Sequence, residues 1–166
     1  MSKFYITTSI PYVNSVPHLG HAMEFIQADV LARYHRQIGD EVMYSTGTDE
    51  HGSKIAEKAA ELGMTTETFV EKNVAEFKKL LALLNVTNDK FIRTTDPDHE
   101  HRVQIIWDNL KPYIYKNLYV GLYCVGCEEF VTEKIAKANN NICPAHNRPY
   151  EQIEEENYFF ALSKFG

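Results

Sequence analysis

Residues 4–21 read Phe4-Tyr5-Ile6-Thr7-Thr8-Ser9-Ile10-Pro11-Tyr12-Val13-Asn14-Ser15-Val16-Pro17-His18-Leu19-Gly20-His21, and their local preferences change along the way. The first seven residues are mostly β-branched or aromatic, and Pro11 removes the N–H that a central strand would need next. This predicts a strand over residues 4–10. Two prolines and an asparagine then turn the chain. From Leu19 the apolar side chains Met23, Ile26, Val30, Tyr34 and Ile38 recur every three or four residues up to Gly39. That spacing predicts a helix with this stripe buried and a glycine stop.

Working outward, residues 41–46 read as a second strand and residues 90–94 as a third, with helices over 54–62 and 67–84 between them. Asp96-Pro97 pairs an N-cap acceptor with a first-turn proline, so a helix opens there towards Asn117 unless Pro112 ends it early. Trp107 falls with Val103, Ile106 and Leu110 at helical spacing and is expected in the core. Strands alternating with helices imply an α/β fold with a parallel sheet of doubly wound type. From residue 118 to 156 the character changes to short strand-like pieces, cysteine pairs and an Asn139-Asn140-Asn141 turn. Residues 157–162 then return to core-strand composition.

The expected organisation is the first half of a Rossmann-like doubly wound parallel sheet over 1–117, a small insertion over 118–156, and the start of a return to the sheet over 157–166. A chain of 166 residues fits one domain with an insertion and buries roughly 70% of its unfolded surface without disulfide help. No apolar run approaches the ~18 residues of a membrane span. With 17 basic and 23 acidic residues the net charge is −6, so autonomous nucleic-acid binding through phosphate neutralisation is not expected. The start of the chain lacks a charged n-region and a long apolar h-region, and the cytoplasm is the expected compartment.

The three cysteines all lie between residues 124 and 143 and cannot pair completely as disulfides. Cys124-x2-Cys127 and Cys143-x2-His146 instead form two close-spaced pairs joined by fifteen residues. Such a set can place three thiolates and an imidazole around a tetrahedral cation, with no coordination position left for water. The expectation is one structural zinc ion that folds the insertion, held by Cys124, Cys127, Cys143 and His146. Reduced cysteines meeting by chance are the alternative.

His18-Leu19-Gly20-His21 sits where the first strand hands over to the long helix. A helix amino terminus presents unpaired N–H groups and the positive end of the dipole, which suits a phosphate. Two imidazoles there can donate to phosphate oxygens, and Gly20 lets a base or ribose approach the backbone. The same spacing serves a surface pair or half of a metal site. Neither G-x-G-x-x-G nor a Walker sequence occurs.

HLGH after a first strand resembles the HIGH motif of class I aminoacyl-tRNA synthetases, shared in shorter form with nucleotidylyltransferases. With IPYVN at Ile10 to Asn14, TGTDEHG at Thr46 to Gly52, the Cys3His knuckle and EENYFF at Glu155 to Phe160, the chain is similar to the methionyl-tRNA synthetases in particular. The resemblance implies a ligase that uses ATP, with Mg2+, to activate methionine as methionyl-adenylate and then load tRNA(Met). It implies His18 and His21 as catalytic and, with Gly20, ATP-binding residues, Asp49 as the holder of the substrate's ammonium group, and Ile10 and Tyr12 as lining of the methionine pocket. Asp49 as a helix cap and Tyr12 as a core or rim aromatic remain open. Asn147 stands where many relatives carry glycine and is expected to take the same left-handed turn. The family's KMSKS loop and anticodon-reading helical domain have no counterpart here, so an isolated chain of this extent is expected to be inactive or very weak. A nucleotidylyltransferase of the HxGH type and another class I synthetase are the alternatives.

Overall fold

The computed structural model describes residues 2–127 and 129–166, which divide into two compact units, Met1–Gln104 and Ile105–Gly166. In the first unit β1 (Lys3–Thr7) leads to α1 (Leu19–Gln37), β2 (Glu41–Thr48), α2 (Ser53–Glu61), α3 (Thr66–Leu83) and β3 (Lys90–Arg93), after which α4 (Pro97–Leu110) begins. The strands form a parallel sheet in the order β1-β2-β3, running from Lys3↔Glu41 to Thr7↔Ser45 on one side of β2 and from Ser45↔Lys90 to Thr48↔Arg93 on the other. Parallel strands with helical crossovers make this unit Rossmann-like. β1 ends three residues before its predicted limit. The Thr8 N–H makes the last bond to β2, at the Ser45 carbonyl 3.3 Å away, and on the opposite side the Glu24 carboxylate accepts from the Ser9 N–H at 2.6 Å and the Ser9 hydroxyl at 2.7 Å, fixing the chain where it leaves the strand.

The core lies where α3 delivers Phe69, Val70, Val74, Phe77 and Leu81 against Val13, Phe25 and Ile55. α3 therefore buries the apolar positions Phe69, Val70, Val74, Phe77 and Leu81, which recur at helical spacing in its sequence. α1 does not bury the stripe predicted for it. Met23, Val30, Tyr34 and Ile38 are each more than half exposed and Ile26 is 43% exposed, whereas Ala22, Phe25, Ala28, Asp29 and Ala32 are buried. Both stripes recur at helical spacing, and the one with small residues lets the helix axis approach Tyr44 and the sheet closely.

Asp29 is the polar member of that buried face. It accepts from the Thr87 N–H at 2.7 Å, from the Thr87 hydroxyl at 2.5 Å and from Arg33 Nε at 2.6 Å, tying α1 to the lead-in of β3. Burial alone would raise its pKa, but the hydrogen bonds from Thr87 and Arg33 outweigh it and hold the carboxyl below the usual aspartate value. Its stabilising contribution is therefore present above the ordinary aspartate range, about 3.9, and lost as pH falls through the lower folded-state value. Asp29→Ala leaves the Thr87 donors unpaired and is expected to cost about 1–3 kcal/mol at neutral pH, with a smaller deficit in strong acid. Urea unfolding of both forms across that pH range checks this, and an equal deficit at every pH would refute it.

In the second unit α4 ends at Leu110, and Pro112 lies in a 3-10 turn over Lys111–Tyr113, the early stop its ring predicts. β4 (Ile114–Cys124), β5 (Glu129–Val131), α5 (Glu133–Ala138), β6 (Ile142–Cys143), β7 (Arg148–Pro149) and β8 (Glu151–Phe160) follow. β4 is central in an antiparallel sheet of order β5-β4-β8, paired with β8 from Ile114↔Phe160 to Tyr123↔Glu151. Asn157, Tyr158, Phe159 and Phe160 thus lie in the antiparallel ladder of β8 with β4, and Tyr158 and Phe160 are 60% and 40% exposed. Their apolar composition reflects cross-strand pairs such as Tyr115 with Phe159, ring centroids 5.7 Å apart. Trp107, expected in the core, is 42% exposed and meets Tyr158 edge-on. Among the described residues no helix is long and apolar enough to cross a membrane.

Candidate active site and metal centre

The residues singled out around HLGH gather at the carboxyl ends of β1 and β2, where open α/β sheets bind ligands. After β1 the chain runs beside the end of β2. The Asp49 N–H donates to the Pro11 carbonyl at 2.9 Å and the Val13 N–H to the Asp49 carbonyl at 3.2 Å, so Tyr12 and Asp49 face one another as an isolated parallel bridge. Val13 is fully buried and its carbonyl accepts from the Asn73 amide at 2.6 Å. Ile10 and Tyr12 stay 40% and 57% exposed, available to a ligand and not consumed by the core.

His18 is the N-cap of α1, and the two imidazoles cap the helix reciprocally. His18 Nδ1 accepts from the Gly20 N–H at 3.1 Å, and His21 Nδ1 accepts from the His18 N–H at 3.2 Å. A ring nitrogen that accepts from an amide carries no proton, so each neutral ring holds its proton on Nε2. The rings stack with centroids 3.8 Å apart, leaving two N–H donors for an anion beside the free N–H groups of the first turn. Burial, then the neighbouring His18 charge, lowers the pKa of His21, with Glu24 opposing. His21 therefore favours the neutral, donating form. Gly20 has a further reason for lacking a side chain: a Cβ there would lie 2.9 Å from His18 Cε1.

Asp49 is not the cap of the following helix. Gly52 occupies the N-cap position of α2, and Asp49 Oδ1 accepts from the His51 N–H at 3.2 Å. Asp49, His51, Thr94, His99, Glu100, Val103 and Gln104 line an open cleft of about 560 Å³, within the size range of small-molecule sites. Neither spacing nor motif in the sequence places Thr94, His51 or His99 beside Asp49. Thr94 follows a four-residue strand and becomes a neighbour of Asp49 only through the β2–β3 register.

The Cys3His set comes together in the second unit. The four donor atoms all lie within 4.8 Å of one another. His146 Nδ1 stands 4.0, 3.3 and 3.7 Å from the sulfurs of Cys124, Cys127 and Cys143, and the sulfurs of Cys127 and Cys143 are 3.5 Å apart. A tetrahedral cation with metal–sulfur bonds of ~2.3 Å has ligand–ligand edges of about 3.5–3.8 Å, so the set fits such an ion. The Cys127 N–H points at Cys124 Sγ, 3.4 Å away, as a thiolate ligand requires. A Cβ on Gly126 would lie 2.5 Å from His146 Cγ, which explains the glycine between the first two cysteines. Asn147 takes the left-handed turn expected of it, with φ of 50°, and its N–H closes on the Cys143 carbonyl at 2.8 Å.

Residues 4–158 match the family described as tRNA synthetases class I (M). The methionine–tRNA ligase of Thermotoga maritima is 47% identical over 98% of this chain and 27% of its own length, and that of Streptomyces coelicolor is 46% identical over 98% of this chain and 32% of its own. The methionyl-tRNA synthetase of Mycobacterium tuberculosis, solved in complex with methionyl-adenylate, superposes with a TM-score of 0.85 and 36% identity over 99% of this chain and 33% of its own. The chain thus spans about a quarter to a third of the length of these relatives. Matched in sequence and in fold over nearly all its length, it belongs to the class I (M) tRNA synthetases.

Proposed function

We propose that this chain carries part of the active site of a methionine–tRNA ligase, which activates methionine with ATP and transfers it to tRNA(Met). The observation that carries the reading is the reciprocal His18–His21 cap, which occupies both Nδ1 atoms and leaves both Nε2–H groups unused by the cap, where β1 hands over to α1 beside a parallel sheet. The relative solved with methionyl-adenylate supports it, because that adenylate is the intermediate such a site would stabilise. A methionine carboxylate oxygen attacks the α-phosphorus of ATP, and pyrophosphate leaves. No covalent nucleophile is required of the protein, so its work is positioning and charge stabilisation.

His18 and His21 donate to the phosphate oxygens as charge builds on them. Gly20 keeps the helix start open beneath the nucleotide, Asp49 receives the ammonium group, and Ile10 and Tyr12 pack against the thioether. Mg2+ accompanies ATP and neutralises its phosphates. Cys124, Cys127, Cys143 and His146 would hold a structural zinc ion, which would order the segment between residues 124 and 149 and take no part in the chemistry. The rest of the pocket and the tRNA contacts come from other segments of the ligase, and the cytoplasm is its compartment.

The test is methionine-dependent ATP–pyrophosphate exchange by the full-length protein carrying this segment. Exchange is expected with methionine and not with leucine or cysteine. Exchange driven by another amino acid, or nucleotidyl transfer from CTP to a phosphate-bearing acceptor, would overturn the reading in favour of a different synthetase or a nucleotidylyltransferase.

A further inference from the structure

The carboxyl ends of β2 and β3 are joined by a buried carboxylate that the mechanism above does not use. The Glu50 side chain has no exposed surface. Its Oε1 accepts from Arg93 Nε and from the Thr48 hydroxyl, each at 2.7 Å. Its Oε2 accepts from Arg93 Nη2 at 2.9 Å and from the Thr95 hydroxyl at 2.5 Å. A two-point arginine fork fixes the plane of the carboxylate as well as its position, and Arg93 is itself held from α3 by Glu71 at 2.7 Å. The clamp secures the backbone of residue 50, whose N–H donates to Thr94 Oγ1 at 2.8 Å.

That bond orients a hydroxyl. Thr94 Oγ1 also meets His51 Nδ1 at 3.1 Å; when that nitrogen carries the ring proton and donates it, the single proton of Thr94 is left for Asp49 Oδ1, a long contact at 3.5 Å. Asp49 Oδ1 already accepts from the His51 N–H, so donors engage one oxygen of this carboxylate and hold its direction. Asp49 and Thr94 both line the cleft described above. We infer that Thr94 is a positioning residue for the amino-acid substrate: its hydroxyl, seated by the Glu50–Arg93 clamp, aims the Asp49 carboxylate at the substrate's ammonium group. This rests on the proposed role of Asp49.

The test uses the full-length ligase. Thr94→Val keeps the shape and removes the hydroxyl, and it is expected to raise KM for methionine about tenfold, a factor equivalent to one modest hydrogen bond, with KM for ATP unchanged. Thr94→Ser restores the wild-type value. Inhibition by the desamino analogue of methionine, which has no ammonium group to be received, is expected to be equal in wild type and Thr94→Val. Should valine not be accommodated, Thr94→Ala is expected to give the same split. An unchanged KM for methionine, or equal losses for methionine, ATP and the analogue, would overturn the inference while leaving the ligase reading intact. Absence of methionine-dependent exchange in the wild type would remove both.

Discussion

His21→Asn is expected to lower kcat for methionine-dependent pyrophosphate exchange by roughly a hundred- to a thousandfold, the loss typical of deleting one preorganised donor to a developing negative charge. Asparagine is the informative replacement because its side-chain oxygen can accept from the His18 N–H as Nδ1 does at 3.2 Å, so the cap survives while the Nε2–H donor is lost. Thermal unfolding should shift by less than the ~1 kcal/mol of a lost cap. The same geometry sets a pH dependence. Burial lowers the His21 pKa, so the stabilisation from its capping bond is complete above the ordinary histidine value of about 6.5 and is lost as pH falls through the lower folded-state value, where Nδ1 gains a proton and stops accepting. Wild-type kcat in His21→Asn would mean that these imidazoles cap a helix and nothing more.

Cys143→Ser, or a strong chelator, is expected to release one zinc ion per chain and unfold the segment between residues 124 and 149. The energetic case is one of scarcity. Between those residues only Cys124, Ala136 and Cys143 are buried among the described positions, and β6 and β7 are two residues each and pair only with one another. An apolar core that small contributes a few kcal/mol at most, against about 10–16 kcal/mol for structural zinc in small modules. Amide exchange in this segment should therefore reach the unprotected limit without metal, while the amides of α3, packed in the Phe69–Phe77 core, keep their protection. Metal analysis finding less than stoichiometric zinc, or unchanged protection in Cys143→Ser, would refute the structural role.

Where the fold departs from what the sequence predicts, the physical cause is specific to each element. The helical period of α1 carries two overlapping stripes, and hydrophobicity alone favours the one with Met23, Val30 and Tyr34 over the one with three alanines. Closeness of approach to the sheet chose the alanines, and a period cannot encode an approach distance. Trp107 and Tyr158 look like core residues by type, but they pair edge-on at a half-exposed surface of the second unit. Residues 157–160 carry β-forming side chains that suit a parallel core strand and an antiparallel one equally well, and only the pairing with Ile114, Tyr115, Lys116 and Asn117 decides between them.

Local chemistry was legible from the chain alone: the strand-to-helix turn with its two imidazoles, the cysteine and histidine spacing, the left-handed Asn147 and the proline stop at residue 112. Each depends on residues within a few positions of one another, so the covalent order already limits the geometry. The neighbours of Asp49 were not legible. Thr94 lies 45 residues away in the chain, Glu50 meets Arg93 across 43, and Tyr12 reaches Asp49 only because β1 and β2 run parallel with a fixed register. Such contacts are set by how the strand ends align once the helices have packed, and that alignment exists only in the folded chain.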